Sequence, residues 1–157
     1  MSHARVLVVD DEPFVRQTLS EWLRKKNFHV FEAENGRQAM ERIRRDHPDI
    51  VISDIVMPGM DGLQLLKEAK AVKADIPFLM ISGYPSYSTA ADVMKYGASD
   101  YLSKPFKPEE LTRRVSHTLK LKAFSKPLAP ARGIILGAAI STVMWMFIIW
   151  AVSAVFS

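Results

Sequence analysis

Several short apolar runs in this chain end on residues able to do chemistry. They are Asp10-Asp11 after Arg5-Val-Leu-Val-Val9, Asp54 within 50–55, Ser82 closing 78–82, and Lys104 just after 100–103. Three carboxylates gathered in one place repel one another by roughly 4 kcal/mol per pair at 4 Å and an effective dielectric of 20. Their convergence therefore calls for a cation. Mg²⁺, a hard ion, binds through one or two carboxylates and keeps positions for water and phosphate. Lys104 adds a second positive charge. A carboxylate beside such cations can attack phosphorus and become an aspartyl phosphate, because positioned positive charge stabilises the transferring oxygens. Asp54 is the expected nucleophile.

The elements that must position these residues can be read from the same pattern. Strands are expected at 5–9, 28–33, 50–55, 78–82 and 100–103, each a short β-branched or aromatic run of the kind buried on both sheet faces. Helices are expected between them, from Pro13 to the closing run Arg24-Lys25-Lys26 and at 36–46, 62–72 and 88–96, with a last one from 108 to about 123. In the first, Pro13 suits the opening turn, and Val15, Leu19, Trp22 and Leu23 fall on one stripe. Five βα units of this kind predict a parallel sheet covered on both faces, with ligands bound beyond the carboxyl ends of its strands.

Composition narrows the class. All 17 acidic residues lie at or before Glu110, against 15 bases there, a net charge of −2; six bases and no acid follow. The overall charge of +4 and the pI of about 9.4 thus describe a basic C-terminal segment, which is weak support for nucleic-acid binding. The absence of cysteine excludes disulfides and thiolate metal sites. The opening residues carry no secretory signal pattern. His3, His29, His47 and His117 have no metal-ligand spacing, and Arg24-Lys25-Lys26 is expected to be a solvated helix end.

Three strings carry a family resemblance: Val6-Leu-Val-Val-Asp10-Asp11-Glu12, Ser53-Asp54-Ile-Val-Met57-Pro58-Gly59-Met60-Asp61-Gly62, and Gly97-Ala98-Ser-Asp-Tyr101-Leu-Ser-Lys104-Pro105-Phe106. Over roughly residues 4–122 the chain resembles the receiver domains of bacterial two-component response regulators. The resemblance implies a flavodoxin-like (βα)5 fold and an aspartyl phosphate at Asp54. It implies Mg²⁺ held by Asp11, Asp54 and the backbone carbonyl of Val56, with Asp10 acting through water. Ser82 and Lys104 would each meet a phosphoryl oxygen, Tyr101 would be the switch aromatic, and Lys104-Pro105 a cis peptide. Asp61-Gly62 is expected to be a turn into the third helix. Gly83 would leave the phosphate approach open and Tyr84 would shield the phosphoryl group from water.

Beyond the receiver, residues 1–123, comes a basic, proline-containing linker over 124–132. Residues 133–156 then form 24 positions without a charge. As a helix they would span about 36 Å, enough to cross a bilayer core of about 30 Å with tilt. Lys120, Lys122, Lys126 and Arg132 precede this segment, so the positive-inside rule places the receiver in the cytoplasm, at the inner membrane. Gly133, Gly137 and Ser141 recur every four residues, a small-residue face that would support a homodimer.

Taken together, these features predict a membrane-tethered response regulator that takes phosphate from a sensor histidine kinase or a phosphotransfer protein and acts through a protein contact, with no nucleic-acid partner. It would be no enzyme beyond its own phosphotransfer and slow autodephosphorylation. A phosphate sink or localisation scaffold is the alternative. A haloacid-dehalogenase-type phosphatase is disfavoured, since its second Asp would fall at Val56.

Overall fold

A computed structural model describes residues 3–83 and 87–125, leaving aside the side chains of 87–89. The chain divides into two units, Met1–Ser125 and Lys126–Ser157, and only the first falls within the described residues. Its strands are β1 (Arg5–Val9), β2 (His29–Ala33), β3 (Ile50–Asp54), β4 (Phe78–Ser82) and β5 (Asp100–Ser103). They alternate with α1 (Pro13–Arg24), α2 (Gly36–Asp46), α3 (Gly62–Val72), α4 (Tyr87–Lys95) and α5 (Pro108–Ser125). All pairings are parallel and the order is β2-β1-β3-β4-β5, the flavodoxin-like arrangement.

Alternation along the strands divides the core into two layers, because successive side chains in a strand point to opposite faces. Leu7, Val51, Phe78 and Met80 meet α2, α3 and α4 through Met40, Ile43, Leu65, Leu66 and Val93. Val6, Val8, Ile50, Ile52 and Leu79 meet α1 and α5 through Leu19, Leu23, Leu111 and Val115. Strands β3 and β4 are buried along their whole length, as expected where helices cover both faces.

Local chemistry sets several helix starts. The Asn35 side chain accepts from the Gln38 amide at 2.9 Å, and that of Asp61 accepts from the Gln64 amide at 2.7 Å, so each satisfies a donor with no partner inside its helix. Helix α5 runs to Ser125, two residues beyond the expected end, since neither Phe124 nor Ser125 stops a helix. Strand β2 starts one residue later than read, because Phe28 still belongs to the turn, its amide bonded to the Leu23 carbonyl. Helix α4 lies one residue earlier than expected.

Among the described residues no helix is long and apolar enough to cross a membrane. The expected span over 133–156, with Gly133, Gly137 and Ser141, lies outside the described residues. So does Tyr84.

Candidate phosphoryl-transfer site

The sheet order reverses direction between β1 and β3, which leaves a crevice outside their carboxyl ends. Asp10 directly follows β1, and Asp54 ends β3. Both are buried, at 2% and 8% exposure. Lys104 reaches in from beyond β5 and bridges them, its Nζ 2.7 Å from Asp54 Oδ1 and 3.4 Å from Asp10 Oδ2.

Each carboxylate is also held by backbone. The Glu12 amide donates to Asp10 Oδ1 at 2.9 Å, and the Val56 amide donates to Asp54 Oδ2 at 2.9 Å. On the adjacent strand Ser82, 2% exposed, ends β4. Its carbonyl accepts from the Lys104 amide at 2.8 Å, which ties the lysine's backbone to the neighbouring strand. The Lys104–Pro105 bond is cis.

Asp10, Asp54 and Lys104 make a tight set, while Asp11, in the turn after β1, is exposed; Val56 is 60% exposed, and its expected contact with the metal is through its backbone carbonyl. Among the described residues no three acidic or histidine side chains are grouped closely enough to hold a metal ion. Tyr101, on β5, packs against the α2–α4 side of the core; its hydroxyl is buried and makes no hydrogen bond among the described residues. Gly83 is exposed, with Lys104 Cδ 4.0 Å from where a β-carbon would stand.

Burial pushes the Asp10 carboxyl above the ordinary carboxylate range, and the nearby Asp54 charge adds to this. The Glu12 amide and Lys104 pull the other way without cancelling it. Lys104 shows the complementary balance: burial alone would lower its pKa, but the hydrogen bond and charge of Asp54, together with Asp10, hold it above the usual lysine value. One ammonium thus serves two buried carboxylates, and the crevice stays short of positive charge. The donors are hard oxygens, and Mg²⁺ needs only one or two carboxylates when water completes its shell, so this set fits that ion.

Two contributors escaped the sequence reading. Arg16 Nη1 donates to the Asp10 carbonyl at 2.6 Å, and its Nε lies 3.7 Å from Glu32 Oε2, which braces the turn carrying the aspartates. In sequence it looks like any arginine on a solvated helix. Gly62 is the second: a β-carbon there would collide with the Asp54 carbonyl oxygen and stand 2.9 Å from Ile55 Cα. The Asp61-Gly62 pair was visible as a turn, but nothing in its spacing showed how closely α3 approaches β3.

The family model of the response regulator receiver domain matches residues 6–116. The chain is 40% identical over 120 residues to the chemotaxis protein CheY of Bacillus subtilis, covering 76% of this chain and 99% of that protein. It is 38% identical over 124 residues to the regulatory protein AtoC of Escherichia coli, covering 79% of this chain but spanning only 27% of that relative's length. Among solved structures, the chemotaxis protein CheY4 of Vibrio cholerae superposes with a TM-score of 0.72 at 31% identity, covering 74% of this chain and 99% of that one.

Proposed function

The chain belongs to the response regulator receiver domain family, and from that premise we propose that it accepts a phosphoryl group on Asp54 from a sensor histidine kinase or a phosphotransfer protein. The observation that carries this reading is Asp54 itself. It is a nearly buried carboxylate at a sheet switch point, with one oxygen against an ammonium at 2.7 Å and the other against a backbone amide at 2.9 Å.

On this reading an Asp54 oxygen forms the new P–O bond as the donor's P–N bond breaks. Lys104 is within reach to pair with the transferring oxygens, and Ser82, at the end of the strand beside Asp54, would hydrogen-bond another. Mg²⁺ would be held by Asp11, Asp54 and the Val56 carbonyl, with Asp10 acting largely through water, and would supply charge stabilisation to the phosphoryl oxygens. Asp10 and Asp54 keep the crevice anionic enough to attract that ion. Beyond its own phosphotransfer and slow autodephosphorylation the chain turns over no substrate.

Phosphorylation would shift the balance between two receiver conformations, and the signal would pass by protein contact. Tyr101 suits the switch role because its buried hydroxyl has no partner to hold the inward position. For residues 133–156 we propose a single membrane span with the receiver on the cytoplasmic side, supported by the run's length, its lack of charge and the bases that precede it. The small-residue face of Gly133, Gly137 and Ser141 would pair two copies. A localisation scaffold or phosphate sink would use the same chemistry without a dedicated effector.

Acetyl phosphate and Mg²⁺ provide the test, followed by intact-mass measurement of wild type and Asp54→Asn. A phosphoryl adduct on wild type that the variant lacks is the expected result. An adduct of equal yield on both proteins would place the acceptor elsewhere.

A further inference from the structure

In a parallel sheet with helices running back between strands, every helix ends near the amino edge of the sheet, the pole opposite the phosphoryl-transfer crevice. Helix α5 ends there too: Lys122 Nζ lies 3.4 Å from the Asp49 carbonyl and 3.9 Å from Asp75 Oδ2, in the segments leading into β3 and β4. Acids at this pole are already paired, Asp46 with Arg42 and Arg45, Asp49 with Arg5, and Asp75 with Lys122. Lys25, Lys26, Arg44, Lys73 and Lys120 make no ion pair among the described residues.

A cation in the last turn of a helix is ordinarily explained by the helix dipole. That accounts for Arg44 and for Lys25 and Lys73 at the helix C-caps, but not for Lys26, past the cap of α1, or for Lys120, before the last turn of α5. Large apolar side chains are also uncovered here: Val72 and Leu121 are each 53% exposed, and Phe124 is 87% exposed. At the opposite pole the exposed residues without an ion-pair partner among the described residues are mostly acids, Asp11, Glu12, Asp61 and Glu109, against the bases Arg37 and Lys107.

The geometry points to the amino-edge pole of the sheet as a surface that rests on an anionic lipid bilayer, with the phosphoryl-transfer crevice turned away from it. This rests on the proposed membrane span, because α5 ends at this pole only eight residues before the uncharged run begins at Gly133. Unpaired lysines would meet lipid phosphates, and Val72, Leu121 and Phe124 would enter the headgroup layer. The crevice pole, where exposed acids outnumber exposed bases, would face away, which leaves Asp54 open to a phosphoryl donor.

Hydrogen–deuterium exchange on the full chain tests this in two preparations, vesicles of phosphatidylcholine and vesicles also containing phosphatidylglycerol. The expected result is slower exchange over residues 24–28, 72–76 and 120–125 in the anionic vesicles only. Raising the salt should reverse it, because screening shortens the reach of exposed charges. Charge reversal at Lys25→Glu, Lys26→Glu, Lys73→Glu and Lys120→Glu should weaken the surface association about fivefold or more for each lysine changed. The salt titration needs no variant, so the test survives if the substitutions disturb folding. Flotation with the vesicles reports the span separately. A chain that floats with both vesicles yet exchanges identically in them overturns the lipid-facing surface and leaves the span intact. Flotation with anionic vesicles alone overturns the span and supports the surface, and flotation with neither overturns both.

Discussion

Replacing Asp10 by Asn isolates the crevice's shortage of positive charge. Lys104 Nζ lies 2.7 Å from Asp54 and 3.4 Å from Asp10, so the oxygens it bridges are no more than about 6 Å apart. At an effective dielectric of 20 their repulsion is then at least about 3 kcal/mol, while Lys104 attracts Asp10 by about 5 kcal/mol. Burial of the ionised group costs several kcal/mol more, which tips the sum against the charge. The neutral amide keeps an oxygen for the Glu12 amide and should stabilise residues 1–125 by about 1–2 kcal/mol at pH 7 without metal.

The pH dependence follows from the same balance. Because the folded-state pKa of Asp10 is raised above 3.8, the native state holds the proton more tightly than the unfolded chain. Wild type therefore loses stability as pH rises from that value through the folded-state pKa, and the full cost persists at neutral pH. The variant's advantage should shrink toward pH 4 and should also fall when Mg²⁺ is added, since the ion favours the carboxylate. Urea unfolding followed by far-UV circular dichroism, in EDTA and in Mg²⁺, measures all three effects. A lower urea midpoint for Asp10→Asn in EDTA at pH 7 would refute the reasoning, by showing that Lys104 more than offsets burial.

Two further outcomes are expected. Tyr101→Phe removes a buried hydroxyl that has no partner and should raise stability by about 1 kcal/mol in the same unfolding assay, with phosphoryl uptake from acetyl phosphate unchanged. Gly62→Ala puts a β-carbon against the Asp54 carbonyl and Ile55, so stability should fall by about 1–3 kcal/mol and phosphoryl uptake should slow as β3 shifts.

The strand and helix order was legible because each element is short, strongly patterned and bounded by turn residues. Strands β1, β4 and β5 begin and end where their apolar runs do. The site was legible because Asp10, Asp54, Ser82 and Lys104 all stand at or just beyond strand ends, and parallel topology brings such positions to one edge. What could not be read was side-chain direction in the turns. Asp10 and Asp11 are adjacent, yet one is buried and braced by the Glu12 amide while the other faces solvent, a difference set by the backbone after β1 and by Arg16. The close approach of α3 to β3 at Gly62 depends on packing distance, which periodicity does not encode.

Helix α5 fixes a length scale for signalling. It starts four residues after Lys104, and its 18 residues extend about 27 Å. The crevice that holds Asp54 and the end of α5, where Lys122 meets the Asp49 carbonyl, therefore lie at opposite ends of one rod, so whatever engages one end leaves the other open.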